Sequence, residues 1–72
     1  MTDYSRTTQY KVANMGRALP TGPYMFSFIG KSTYVKPTLA VIPEMDEGSD
    51  LYDYDTGDVY IFDRDADTWI LQ

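Results

Sequence analysis

The chain has no cysteine and no histidine. The first absence excludes disulfides and thiolate metal sites. The second removes the commonest general base and the commonest transition-metal ligand. A histidine-based catalytic triad is therefore impossible for Ser5, Ser27, Ser32 or Ser49, and there is no Gly-rich phosphate loop. No apolar run approaches the roughly 20 residues of a transmembrane helix. The opening MTDYSRTTQY lacks the basic segment and apolar core of a secretory leader. A soluble product made in the cytoplasm is expected, with no membrane partner, no cofactor and no enzymatic activity.

Basic residues are also scarce: six Lys and Arg stand against eleven Asp and Glu, for a net charge of −5. They are unevenly placed. Residues 1–43 hold five basic side chains against Asp3 alone, whereas residues 44–72 hold ten acids against Arg64. Nucleic acid as a partner is not expected, because phosphate binding needs clustered Lys and Arg. The acidic half reads either as a solvated surface that keeps the protein soluble or as one side of a complementary contact between neighbouring copies.

Seventy-two residues make at most one domain. A chain of this size buries only about 60% of its unfolded surface, and small scaffolds usually need a staple. With disulfides excluded, a homo-oligomer (a trimer is one form) or docking on a larger body is expected to supply it. Seven Tyr, three Phe and one Trp exceed what one thin core holds. Some of them are expected at a contact surface, where Tyr is suited by its apolar face and polar tip.

The expected fold class is all-β, a small antiparallel sheet or meander with an extended N-terminal arm. The arm covers residues 1–19 and the β domain residues 20–72. Thr8 to Leu19 fits a short strand ending near Asn14 to Gly16, or a partner-bound arm; Pro20-Thr21-Gly22-Pro23 is a turn or stiff linker. Tyr24 to Ile29 alternates as a strand with both faces at least partly covered. Thr33 to Val35 is a short extended piece, and Thr38 to Ile42 an apolar run of strand length between Pro37 and Pro43. Leu51 to Tyr54 and Asp58 to Phe62 flank the hairpin turn Asp55-Thr56-Gly57, in which Gly57 supplies the positive φ of a three-residue loop and Asp55 turns onto its own amides. Thr68 to Leu71 completes a three-stranded meander.

The acids invite two chemical readings. Asp63, Asp65 and Asp67 alternate like the first ligands of a calcium loop, but Thr68 stands where glycine is needed and strands replace the flanking helices. Turn-forming, solubilising aspartates are the simpler reading, and Asp53, Asp55 and Asp58 read alike. Paired carboxylates for glycosidase chemistry would need a cleft that so small a chain is poorly placed to build. Tyr52, Tyr54, Tyr60 and Trp69 beside acids suit stacking on a sugar face, against ordinary cross-strand packing within the meander.

Gly30-Lys31-Ser32-Thr33, Lys36-Pro37-Thr38, Pro43, Gly48-Ser49, Asp55-Thr56-Gly57, Val59-Tyr60, Phe62-Asp63 and Trp69 follow in that order. The order resembles a short module of tailed-bacteriophage and prophage structural proteins, covering residues 30–71. This chain departs from it in the longer stretch Leu39 to Glu47 and in the charged loop Arg64 to Asp67. The resemblance implies a virion component, many times copied, with no catalytic residues. The expected function is capsid decoration or auxiliary head binding, with the major capsid protein or other virion proteins as partners. A tail or fibre attachment module and a small acidic inhibitor of a host protein are the alternatives. Candidate contact residues are Tyr4, Tyr10, Val12 and Met15 in the arm and Tyr52, Tyr54, Tyr60 and Trp69 in the meander.

Overall fold

The computed structural model describes residues 8–16 and 20–72. Five strands form one sheet in sequential order: β1 (Lys11–Gly16), β2 (Met25–Gly30), β3 (Asp50–Asp53), β4 (Asp58–Asp63) and β5 (Thr68–Leu71). The all-β expectation holds, and among the described residues there is no helix. The meander β3–β4–β5 lies where the sequence placed it. All neighbours are antiparallel except β2 and β3, which run parallel. A parallel pair needs a long connection, and residues 31–49 supply it without a helix.

That crossover closes the core. Side chains alternate along a strand, so Phe26 and Phe28 of β2, Leu51 of β3 and Phe62 of β4 share the inner face, and all four are buried. Ile42 and Met45 of the crossover are fully buried with them. Each such side chain contributes about 1.5–3 kcal/mol relative to its exposed state. Trp69 packs on the cluster from β5, its ring centroid 5.0 Å from Phe62 and 5.9 Å from Phe28. The opposite face of the sheet has no covering layer among the described residues.

Three local expectations are corrected. Thr38 to Ile42 is a turn, not a strand: the Thr38 carbonyl accepts the amides of Val41 (3.0 Å) and Ile42 (2.8 Å). Only Ile42 is buried while Val41 is exposed, so the apolar run carries one anchor and not a ladder. Thr33 to Val35 also lies outside the strands, behind a turn in which Tyr34 N–H donates to the Lys31 carbonyl. The first hairpin loop has four residues, 54–57, because Asp53 pairs with Asp58. Gly57 has the positive φ expected of it, 79°.

β1 lies inside residues 1–19, read as an arm, and matches the short strand ending near Asn14 to Gly16 that was one of the two readings of Thr8 to Leu19. It pairs with β2 through a register shift between Val12 and Asn14, and Tyr10 just before it is buried in the core. Gly30 makes room for this ring, since a Cβ there would stand 2.6 Å from Tyr10 Cδ1. A division of the chain at residue 19 therefore does not fit residues 10–16, which belong with the sheet.

Candidate contact surface

A set of polar side chains braces the sheet and its loops. Asp53 is fully buried at the end of β3. Its Oδ1 accepts the Tyr10 hydroxyl at 2.6 Å, and Lys36 Nζ stands 3.3 Å from Oδ2. Oδ2 has no hydrogen bond, so the ammonium meets it as an ion pair without hydrogen-bond alignment. The same ammonium lies 4.5 Å from the centroid of the Tyr60 ring, a cation–π arrangement. Burial, and then the Asp53 carboxylate, push the Tyr10 phenol well above its ordinary value. One cluster thus joins the residue before β1, the crossover, β3 and β4.

The loops are tied in the same way. Asp55 accepts the Ser32 amide at 2.9 Å and the Ser32 hydroxyl at 2.7 Å. These bonds are the largest cause that holds the Asp55 carboxyl below the usual range, and the amides of Asp55 and Thr56 in its own loop, onto which it was expected to turn, add to them. Ser49 Oγ accepts the Phe26 amide at 3.1 Å and donates to the Asp46 carbonyl at 2.8 Å. Trp69 Nε1 donates to the Pro37 carbonyl at 2.8 Å. Arg64 donates to the Met45 carbonyl at 2.6 Å.

The alternating aspartates do similar work. Asp63 Oδ1 accepts the amides of Asp65 and Ala66 at 3.1 and 3.4 Å. Asp67 Oδ1 accepts the Leu39 amide at 2.8 Å from a residue whose φ is +52°. Among the described residues no three carboxylates come together as a metal site.

The open sheet face carries apolar side chains that the described fold leaves exposed. The strand register places Ile29, Tyr52 and Val59 in one cross-strand row and Ile61 with Ile70 in the next. Met25 adds to them on β2. Ile61 is half-buried; the others are 36–47% exposed. Two shallow grooves flank these rows. One, of about 360 Å³, includes Asn14, Met25, Ser27 and Asp50; the other, of about 370 Å³, lies between Lys11, Ile29, Tyr34 and Tyr54.

The expected contact residues do not form one surface. Tyr4 lies outside the described residues. Tyr10 is in the core, where its hydroxyl serves Asp53, and this corrects its reading as a contact residue. Val12, Met15, Tyr60 and Trp69 are partly buried against the core. Tyr52 and Tyr54 are exposed, Tyr52 on the open face and Tyr54 in the first hairpin loop. The aromatic set proposed for sugar stacking is therefore split between the two sides of the sheet. Sequence reading missed Met25, Ile29, Val59, Ile61 and Ile70. Their signal was present in the two-residue alternation of β2 and β4, but alternation does not say which face the crossover covers. Comparison of the chain with protein-family models, curated proteins and solved structures finds no match.

Proposed function

We propose that this protein is a structural component of a tailed-phage virion, a capsid decoration or auxiliary head protein that acts by contact. The phage assignment rests on the ordered residues from Gly30 to Trp69. The contact role rests on one observation: apolar side chains of four neighbouring strands are gathered on the uncovered face of a braced sheet. Four of the aspartates that invite a chemical reading are engaged in bracing. Asp53, Asp55, Asp63 and Asp67 all hold backbone or side-chain partners within the fold. The edges add a second means of contact. Among the described residues β1 and β5 each have a neighbour on one side only, and an unpaired edge can accept a further strand.

The test is mass spectrometry of purified particles. The protein is expected in the virion at a copy number comparable to that of the shell subunit. Its absence from particles, with abundant free protein in infected cells, would overturn the proposal and favour the inhibitor.

A further inference from the structure

We propose that the open sheet face is covered by a second copy of this chain, the two sheets packing face to face as a twofold sandwich. The inference rests on the contact reading of this face but not on the virion assignment.

Three features identify the occupant. The first is charge. The chain carries −5, which opposes self-association in general, yet few of its acids lie on this face. By strand parity the face holds Lys11 on β1, Asp50 on β3 and, where β4 enters its loop, Asp63. Asp53 and Asp58 share the inner parity, and Asp46, Glu47, Asp55, Asp65 and Asp67 lie in the connections. Two such faces meet with little of the repulsion that the whole chain would suggest.

The second feature is size. Five strands about 4.8 Å apart, three of six residues and two of four at about 3.3 Å each, give a plan area of roughly 400 Å². Side-chain relief raises the accessible area above this. The face thus approaches the roughly 600 Å² per partner at the low end of stable interfaces.

The third is shape. The row Ile29–Tyr52–Val59 and the pair Ile61–Ile70 present aliphatic and aromatic groups standing off a pleated sheet. This is the inner layer of a β-sandwich, in which two such layers interdigitate about 10 Å apart. A twofold contact is isologous and closes at two copies. It also gives the thin core a second apolar layer while leaving β1 and β5 free at the edges.

Sedimentation equilibrium of the full chain tests this, from low to high micromolar concentration. Wild type is expected to reach twice the 8.2 kDa of the chain. Tyr52→Lys and Ile70→Lys change exposed side chains, so each is expected to keep the wild-type circular dichroism and Trp69 fluorescence while sedimenting at 8.2 kDa at the same concentrations. Three results would overturn the proposal: a wild-type chain that stays at 8.2 kDa at the highest concentration, a trimer, or a dimer that both folded lysine variants retain. A dimer sensitive to both lysines upholds it even where the protein is absent from virions, which would count against the virion reading alone.

Discussion

Tyr10→Phe removes one oxygen from the core and leaves everything else in place. The ring keeps its edge-on contact with Tyr34, 5.6 Å between centroids, and its seat over Gly30. What disappears is the 2.6 Å bond to Asp53 Oδ1, together with the 3.0 Å bond to the Lys31 carbonyl. Asp53 is fully buried, so water does not replace the lost donor, and its Oδ2 has no hydrogen bond to fall back on. A hydrogen bond to a charged group contributes about 1.5–3 kcal/mol. A 72-residue chain has a total stability of about 4–11 kcal/mol, so the variant should lose a large part of it. With a urea slope of about 1 kcal/mol/M, the midpoint should fall by about 2 M. The pH dependence gives a second check. The folded Tyr10 phenol is raised above its ordinary value of about 10. Its contribution is therefore complete below pH 10 and lost as pH climbs through the folded value. The stability gap between wild type and Tyr10→Phe should narrow above pH 10 and stay constant below it. Adding Asp53→Asn to Tyr10→Phe should cost less than the sum of the two single changes, because Asn turns the charge-assisted bond that Tyr10→Phe removes into a weaker neutral one. A Tyr10→Phe cost under about 0.5 kcal/mol, or strict additivity with Asp53→Asn, would refute the reading of this cluster as a brace.

Four further outcomes follow from the same bonds. Trp69→Phe keeps a ring against Phe28 and Phe62 but loses the donor to Pro37 O, so unfolding titration should show a loss of about 1–2 kcal/mol. At Asp67, Asn tolerates the positive φ and keeps an acceptor for Leu39 N–H, whereas Ala does neither; thermal melts should rank wild type near Asn, then Gly, then Ala, with Ala about 2 kcal/mol down. The Asp55 carboxyl is held below its ordinary 3.8 by Ser32, so its contribution is present above that pH and fades as pH falls through the folded value. In a carboxyl NMR titration Ser32→Ala should move the Asp55 midpoint upward. Deletion of residues 1–19 removes both Tyr10 and β1, so circular dichroism should show an unfolded chain and not a free-standing meander.

The sequence reading located β2, β3, β4 and β5 because their signals are local: alternating apolar residues bounded by Gly, Asp and Pro. It failed where the outcome depends on distant partners. Thr38 to Ile42 has the composition of a strand, but its carbonyl bonds close a turn and its one buried residue, Ile42, joins the core cluster. Tyr10 reads as one aromatic in a polar segment. Its burial depends on Gly30 and Asp53, which lie 20 and 43 residues away. Asp55 was legible as a turn residue, yet the partner that holds it, Ser32, stands in another loop. The parallel pairing of β2 and β3 was not legible either, since nothing in the two strands states their relative direction.

Alternation also explains why the bracing residues and the open face were so unequally visible. In β3, Leu51 and Asp53 point inward while Asp50 and Tyr52 point outward; in β4, Tyr60 and Phe62 point inward while Val59 and Ile61 point outward. Two sets of residues are interleaved in the same short segments. Apart from Val59 and Asp63, the ordered residues from Gly30 to Trp69 fall in the inward set and its loops, because a glycine under a ring, an ammonium beside a buried carboxylate and an indole on a carbonyl each need one residue type. The outward set needs only to be apolar and of fitting shape, which leaves no pattern of spacing to find. What the inward set records is therefore how this chain folds. In the proposed contact role, the residues that would select a partner are Met25, Ile29, Tyr52, Val59, Ile61 and Ile70. Substitutions there should change association while leaving stability of the isolated fold nearly untouched, and those at Tyr10, Lys36, Asp53 and Trp69 should do the reverse.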